Sequence, residues 1–242
     1  VTDHLEQLCH WALSDVPHSA GLAETQVQPD LSDLAGSVRG VDCVMRTRVF
    51  TGATWRRWLV AVIRTDDGRP ASLTAIGFPA SSQRPILGID LIGFGGRLPL
   101  VAIDALPVLG ADDALARTCA GELQTLRTAL ADWVVDRRRP EFATVGFSPD
   151  ALIMGSRPGH ESSVLHVLAN ALPALYASVC NASPTGHTDE DGACAAAIVH
   201  WIAAERQNRR EHDALARIFG EHAAERYLAE VLLPASEIQG NE

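Results

Sequence analysis

The spacing of apolar and polar positions changes character twice along the chain. Residues 4–14 read as a first helix, and residues 19–37, rich in Pro, Gly, Asp and Ser, read as irregular. Then the period shortens. Residues 41–49, 58–64, 73–78, 87–94 and 98–103 are short runs of Val, Ile and Leu separated by turn signals, which predicts strands. Asp66-Asp67-Gly68-Arg69-Pro70 is strong hairpin chemistry, and Gly95-Gly96 lets the chain reverse between the last two runs. Successive strands with tight connections predict an antiparallel sheet. From Asp112 the pattern turns helical, with Leu115, Cys119, Leu123, Leu126, Leu130, Trp133 and Val134 on one stripe, ended by residues 137–140. Residues 145–154 predict another strand, starting near Phe147-Ser148-Pro149 with the proline at an edge or entry position. Residues 161–180, 193–219 and 221–232 predict three further helices, an acidic loop at 188–192 dividing the first two. The expected fold class is α+β: a three-layer α/β/α sandwich, its central antiparallel sheet flanked by helices, in a single domain over residues 1–242.

One polar residue breaks this pattern. Asp90 sits within Pro85-Ile-Leu-Gly-Ile-Asp-Leu-Ile-Gly-Phe-Gly-Gly-Arg97, a run with the composition of an interior strand. An ionised carboxylate there costs several kcal/mol unless it is paired, solvated in a cavity or kept protonated. Asp90 is therefore the leading catalytic candidate.

Bulk properties narrow the function classes. The chain has 242 residues, 47% of them hydrophobic, which suits a soluble globular protein, and no run approaches the roughly 18 apolar residues of a membrane span. Its first residues, with His4, Glu6 and Asp15, lack a signal-peptide core, so a cytoplasmic monomer away from membranes is expected. Five widely spaced cysteines without a Cys-x-x-Cys pair predict reduced core thiols and no metal site. A net charge of −10 argues against nucleic-acid binding. All 20 basic residues are arginine, so each cationic contact is a planar fork suited to carboxylates.

No His-Glu-x-x-His, Gly-x-Ser-x-Gly or phosphate loop is present, and Gly93-Phe-Gly95-Gly96 lies between two predicted strands, where it is not a dinucleotide fingerprint. Three blocks nevertheless carry a resemblance. The first runs from Trp55-Arg56-Arg57 through Gly77-Phe78-Pro79 and the Asp90 strand to Leu100-Val-Ala-Ile-Asp104-Ala-Leu-Pro107. Phe147-Ser148-Pro149 is the second, and His200-Trp201, Asn208, Ile218-Phe-Gly-Glu221 and Ala224-Glu-Arg-Tyr227-Leu-Ala-Glu-Val-Leu-Leu-Pro234 form the third. In order and spacing they resemble the ferredoxin-dependent bilin reductases, which reduce biliverdin and related linear tetrapyrroles in phycobilin formation.

The resemblance implies a helix/sheet/helix sandwich with substrate between the sheet and the carboxy-terminal helices. It also implies no tightly bound cofactor, single electrons from reduced ferredoxin, and protons from acidic side chains. Asp90 falls on the family's sheet aspartate, a proton donor, and a carboxyl in an apolar pocket is suited to that role because burial keeps it protonated near neutrality. Arg138 and Arg210 fall on positions that bind propionates, and His200 and Asn208 also match family positions. Thr74 stands where other members have histidine or asparagine, Val60 where one branch has glutamate, and Arg209 where a second acidic residue is found on the carboxy-terminal helix. The expected site is thus Asp90 for catalysis, with Thr74, Arg138, His200, Asn208, Arg209 and Arg210 around the substrate. Asp104, at the end of its strand, reads as a structural carboxylate. Arg56-Arg57 and residues 137–139 are the expected docking patches for an acidic ferredoxin. Two other readings stand beside this one: a reductase-like protein acting on another tetrapyrrole or planar molecule, and a non-catalytic tetrapyrrole binder.

Overall fold

A computed structural model of the chain describes residues 2–108, 113–140, 146–180, 191–235 and 238. Helix α1 (Thr2–His10) widens through Trp11–Asp15 into the short α2 (Val16–Ser19). Then come β1 (Ala23–Thr25), α3 (Pro29–Ser32), β2 (Asp33–Val38), β3 (Val41–Thr51), β4 (Trp55–Thr65), β5 (Pro70–Pro79), β6 (Pro85–Phe94) and β7 (Arg97–Pro107). Helix α4 (Asp113–Leu130), β8 (Val134–Asp136), β9 (Leu152–Ser156) and α5 (Glu161–Cys180) follow, and the carboxy-terminal part holds α6 (Asp191–Glu205), α7 (Arg209–Phe219) and α8 (Glu221–Arg226), which widens into Tyr227–Leu232. All strand pairings are antiparallel, in the order β1-β3-β4-β5-β6-β7-β9-β8, with β2 also on β3.

The sheet is covered on both faces, which explains why its strands read as continuous apolar runs. In β4, Trp58, Val60 and Val62 point into a core shared with α1, α4 and α5. Leu59, Ala61 and Ile63 point the other way, towards Ile198, Trp201, Tyr227 and Val231 from the carboxy-terminal helices. Each fully buried Leu or Val in these layers contributes about 1.5–3 kcal/mol. All five cysteines are free and buried, and burial pushes the Cys9, Cys119 and Cys180 thiols up to about 12. The expectation of core thiols holds.

Several boundaries differ from the sequence reading. Residues 19–37 contain β1, α3 and β2. Strand β2 closes a hairpin with β3 through Arg39-Gly40, both at positive φ (52° and 80°), a turn with neither Asn-Gly nor Asp-Gly to announce it. Helix α4 stops at Leu130, and Val134, placed on its stripe by spacing, instead opens the edge strand β8. The expected helix over 193–219 divides at Arg206–Asn208, where the Asn208 side chain accepts from the Glu211 N–H and starts α7. The strand expected over 145–154 is shorter and later, at Leu152–Ser156. The acidic loop at 188–192 lies mostly outside the described residues. Contrary to the sequence expectation, α5 is long and apolar enough to cross a membrane by length and composition. Here it is a core helix, with Val164, Leu165, Leu168 and Leu172 wholly buried in the layer that holds α1 and α4.

Candidate active site

Between the sheet and α7 lies a cavity of about 620 Å³. Its floor is one row across four strands, Ala61, Thr74, Asp90 and Ala102, each opposite the next in register. Alternation puts their side chains on the same face. Only Asp90 in that row is ionisable, and Thr74 donates its hydroxyl to Asp90 Oδ1 at 2.6 Å. Burial raises the Asp90 pKa and the Thr74 hydrogen bond opposes that shift only in part, so the carboxyl holds its proton more tightly than an exposed aspartic acid.

The opposite wall supplies Asn208, Arg210, Glu211, Leu215 and Ile218 from α7 and its cap, with Tyr227 beyond. Glu211 is pushed up to about 8, first by burial and then by the charges of Asp90 and Glu205. Asp90 and Glu211 are half-buried by accessible surface, and that surface opens onto the cavity. Behind this wall Glu205 is 6% exposed, its Oε1 has no hydrogen-bond partner among the described residues, and its pKa rises to about 7 through burial and the charges of Asp90 and Asp104. Tyr227, hydrogen-bonded to Thr47 at 3.0 Å, is held neutral by burial.

The segment before β9 is fixed by a buried acid. Ser148 donates its N–H to Asp104 Oδ2 at 2.8 Å and its hydroxyl to Oδ1 at 2.5 Å, and Arg139 donates to the Ser148 carbonyl at 2.5 Å. These bonds set Phe147 in the cavity wall. Burial, partly offset by the Ser148 bonds, raises Asp104 to about 6. Asp104 is therefore a structural carboxylate, as its position suggests, though it lies within β7.

The family description "ferredoxin-dependent bilin reductase" matches residues 11–234 of the chain. The chain belongs to this family. It is an oxidoreductase of the ferredoxin-dependent, bilin-reducing kind. The fold is similar to that of phytochromobilin synthase from tomato, solved in complex with biliverdin, with a TM-score of 0.77 at 16% identity over 98% of this chain and 85% of that one. A search among curated proteins returns no match.

Of the residues singled out in the sequence, Asp90, Thr74, Arg138, Asn208 and Arg210 line one cavity. Asn208 contributes through the α7 cap as well as through the wall. Two other expected residues lie elsewhere. His200, on α6, and Arg209, at the start of α7, are exposed and outside the cavity lining, and in α7 it is Arg210 and Glu211 that line the cavity. An acidic side chain of α7, Glu211, lines the cavity two positions after Arg209. Val60 points into the opposite core, and the β4 residues facing the cavity are Ala61 and Ile63, since one residue of offset exchanges the two faces of a strand. Glu211, which also lines the cavity, is not singled out in the sequence, where it stands among the polar residues of an amphipathic helix. Only the helix break, which sequence spacing ran through, distinguishes Glu211 from solvated neighbours.

Proposed function

We propose that this bilin reductase reduces a biliverdin-type linear tetrapyrrole lying between the sheet and α7, with Asp90 and Glu211 as its two proton donors. The observation that carries the reading is a pair of carboxyls on opposite walls of one cavity, both raised in pKa and neither ion-paired among the described residues. A volume of about 620 Å³ falls in the usual range for sites of sizeable organic ligands, about 300–1,000 Å³.

Reducing one double bond consumes two electrons and two protons. Ferredoxin delivers electrons one at a time, so each addition raises the basicity of the tetrapyrrole and draws a proton from a nearby acid. Two protonated carboxyls match that requirement, and solvent returns their protons after product leaves. The Thr74 hydroxyl orients Asp90 while the acid is ionised, and the Asn208 cap orients Glu211. Arg138 and Arg210 at the cavity wall supply cationic forks for propionates, which keeps the carboxylated edge of the substrate outward and the pyrrole nitrogens near Asp90.

The test is biliverdin with chemically or enzymatically reduced ferredoxin, followed by visible absorption. A shift in the spectrum is expected for the wild-type chain. If biliverdin binds and no shift occurs under anaerobic reduction, another planar substrate must be sought for the same cavity.

A further inference from the structure

A second cavity, of about 450 Å³, adjoins the first and shares Phe94, Pro99 and Arg137 with it. Its polar lining consists of Arg39, Arg97, Arg137 and Ser156, with no carboxylate among its lining residues. The three arginines are exposed, whereas Ser156 Oγ is buried without a partner among the described residues. Arg39 adopts a left-handed backbone (φ 52°) in the β2–β3 turn, a conformation that disfavours arginine and favours asparagine or glycine. Arg97 makes an ion pair with the buried Glu161 at 3.3 Å through Nε and remains 62% exposed. A chain of net charge −10 therefore gathers guanidinium groups beside the opening of its catalytic cavity.

We propose that this arginine-lined annex is the docking site for the acidic face of the ferredoxin, receiving one of its carboxylate side chains between Arg39, Arg97 and Ser156. The proposal rests on the bilin-reductase reading for its partner and goes beyond it in location. Electron transfer weakens steeply with distance, and this protein has no redox centre of its own along the way in that reading. The donor must therefore sit at the rim of the substrate cavity, and Phe94, Pro99 and Arg137 line both spaces. Charge complementarity supplies the orientation, because guanidinium forks and a hydroxyl match a carboxylate, and opposite local charge overcomes the net repulsion of two acidic proteins. Within the Arg56-Arg57 patch expected from sequence, Arg57 is 6% exposed and donates to the Val231 carbonyl at 2.6 Å, which withdraws it from docking, and Arg56 is half-buried.

The experiment compares wild type, Arg39→Glu, and the double variant Arg97→Gln/Glu161→Gln, which removes the buried partner together with its arginine. At low ionic strength the KM for reduced ferredoxin should rise about 10-fold in each, and the difference should shrink in high salt. Biliverdin affinity and dithionite-driven reduction should stay at wild-type values. Arg39→Asn, which suits the turn and cannot disturb Glu161, should raise KM about 3-fold and serves if the others fold poorly. An unchanged ferredoxin KM overturns the proposal, as does a loss of biliverdin affinity, which would make the annex a substrate-carboxylate site. Direct titration of ferredoxin onto the ligand-free chain reads docking without any bilin. Weakened binding in Arg39→Glu supports the annex even if the substrate reading fails, and unweakened binding overturns it even if that reading succeeds.

Discussion

Asp90 and Glu211 reach the same cavity from elements more than a hundred residues apart, and burial acts on both in the same direction. Replacing Asp90 by Asn keeps the shape and removes the acid. Single-turnover reduction of biliverdin should slow by about 10²–10⁴-fold with little change in affinity, the range for loss of a general acid. Full activity in that variant would remove Asp90 from the mechanism. For Glu211, the raised pKa also makes a stability statement. A carboxyl that binds its proton more tightly when folded costs stability as pH rises above its unfolded value near 4.5, and the cost levels off above the folded value of about 8. Glu211→Gln should therefore match wild type near pH 4.5 and exceed it by roughly 1–3 kcal/mol at pH 8 and above, read from thermal or urea melts. Glu205→Gln should show the same sign, with most of its gain complete by about pH 7. Parallel stability curves across this range would count against buried, unpaired acids. The burial cost of Asp90 was readable in sequence because the surrounding run was apolar. Glu211, among Arg209, Arg210, His212 and Asp213, had no such contrast.

Element geometry decides which helical residues reach the cavity. Helix α7 packs on β2, and a methyl group at Gly36 would run into the Ile218 carbonyl oxygen and the Phe219 ring. Gly36→Ala should displace α7, lower stability by about 1–3 kcal/mol and weaken biliverdin binding through Arg210 and Glu211. A variant with wild-type melting and affinity would show that α7 is held elsewhere. Strands β3 to β7 were legible because turn residues bracket runs of Val, Ile and Leu. Strand β2 was not, since Asp33-Leu-Ala-Gly-Ser-Val38 has neither a strong alternation nor a marked turn, and its pairing depends on the edge that β3 offers. The short β8 likewise exists through its partner β9, which overrides the helical spacing that reached Val134.

At the scale of the whole molecule, one sheet serves two cores, one with α1, α4 and α5, the other with the carboxy-terminal helices that close the cavity. A ligand bound across the second interface should stabilise the whole. Biliverdin at 100 times its dissociation constant should add about 2.7 kcal/mol, visible as a saturable rise in Tm, whereas an unmoved Tm would mean that it does not bind the folded cavity. By itself the sequence determined the α+β class, the central antiparallel sheet, the buried cysteines and the unusual placement of Asp90 in an apolar strand, because these follow from local period, turn chemistry and the cost of a charge in an apolar run. Tertiary structure alone decided that Ala61 and not Val60 faces the cavity, that Arg210 and Glu211 of α7 line it while His200 of α6 and Arg209 stay outside, and that Arg39, Arg97 and Arg137 meet beside the opening. Register and helix direction fix those outcomes, and both are set by contacts between residues far apart in the chain.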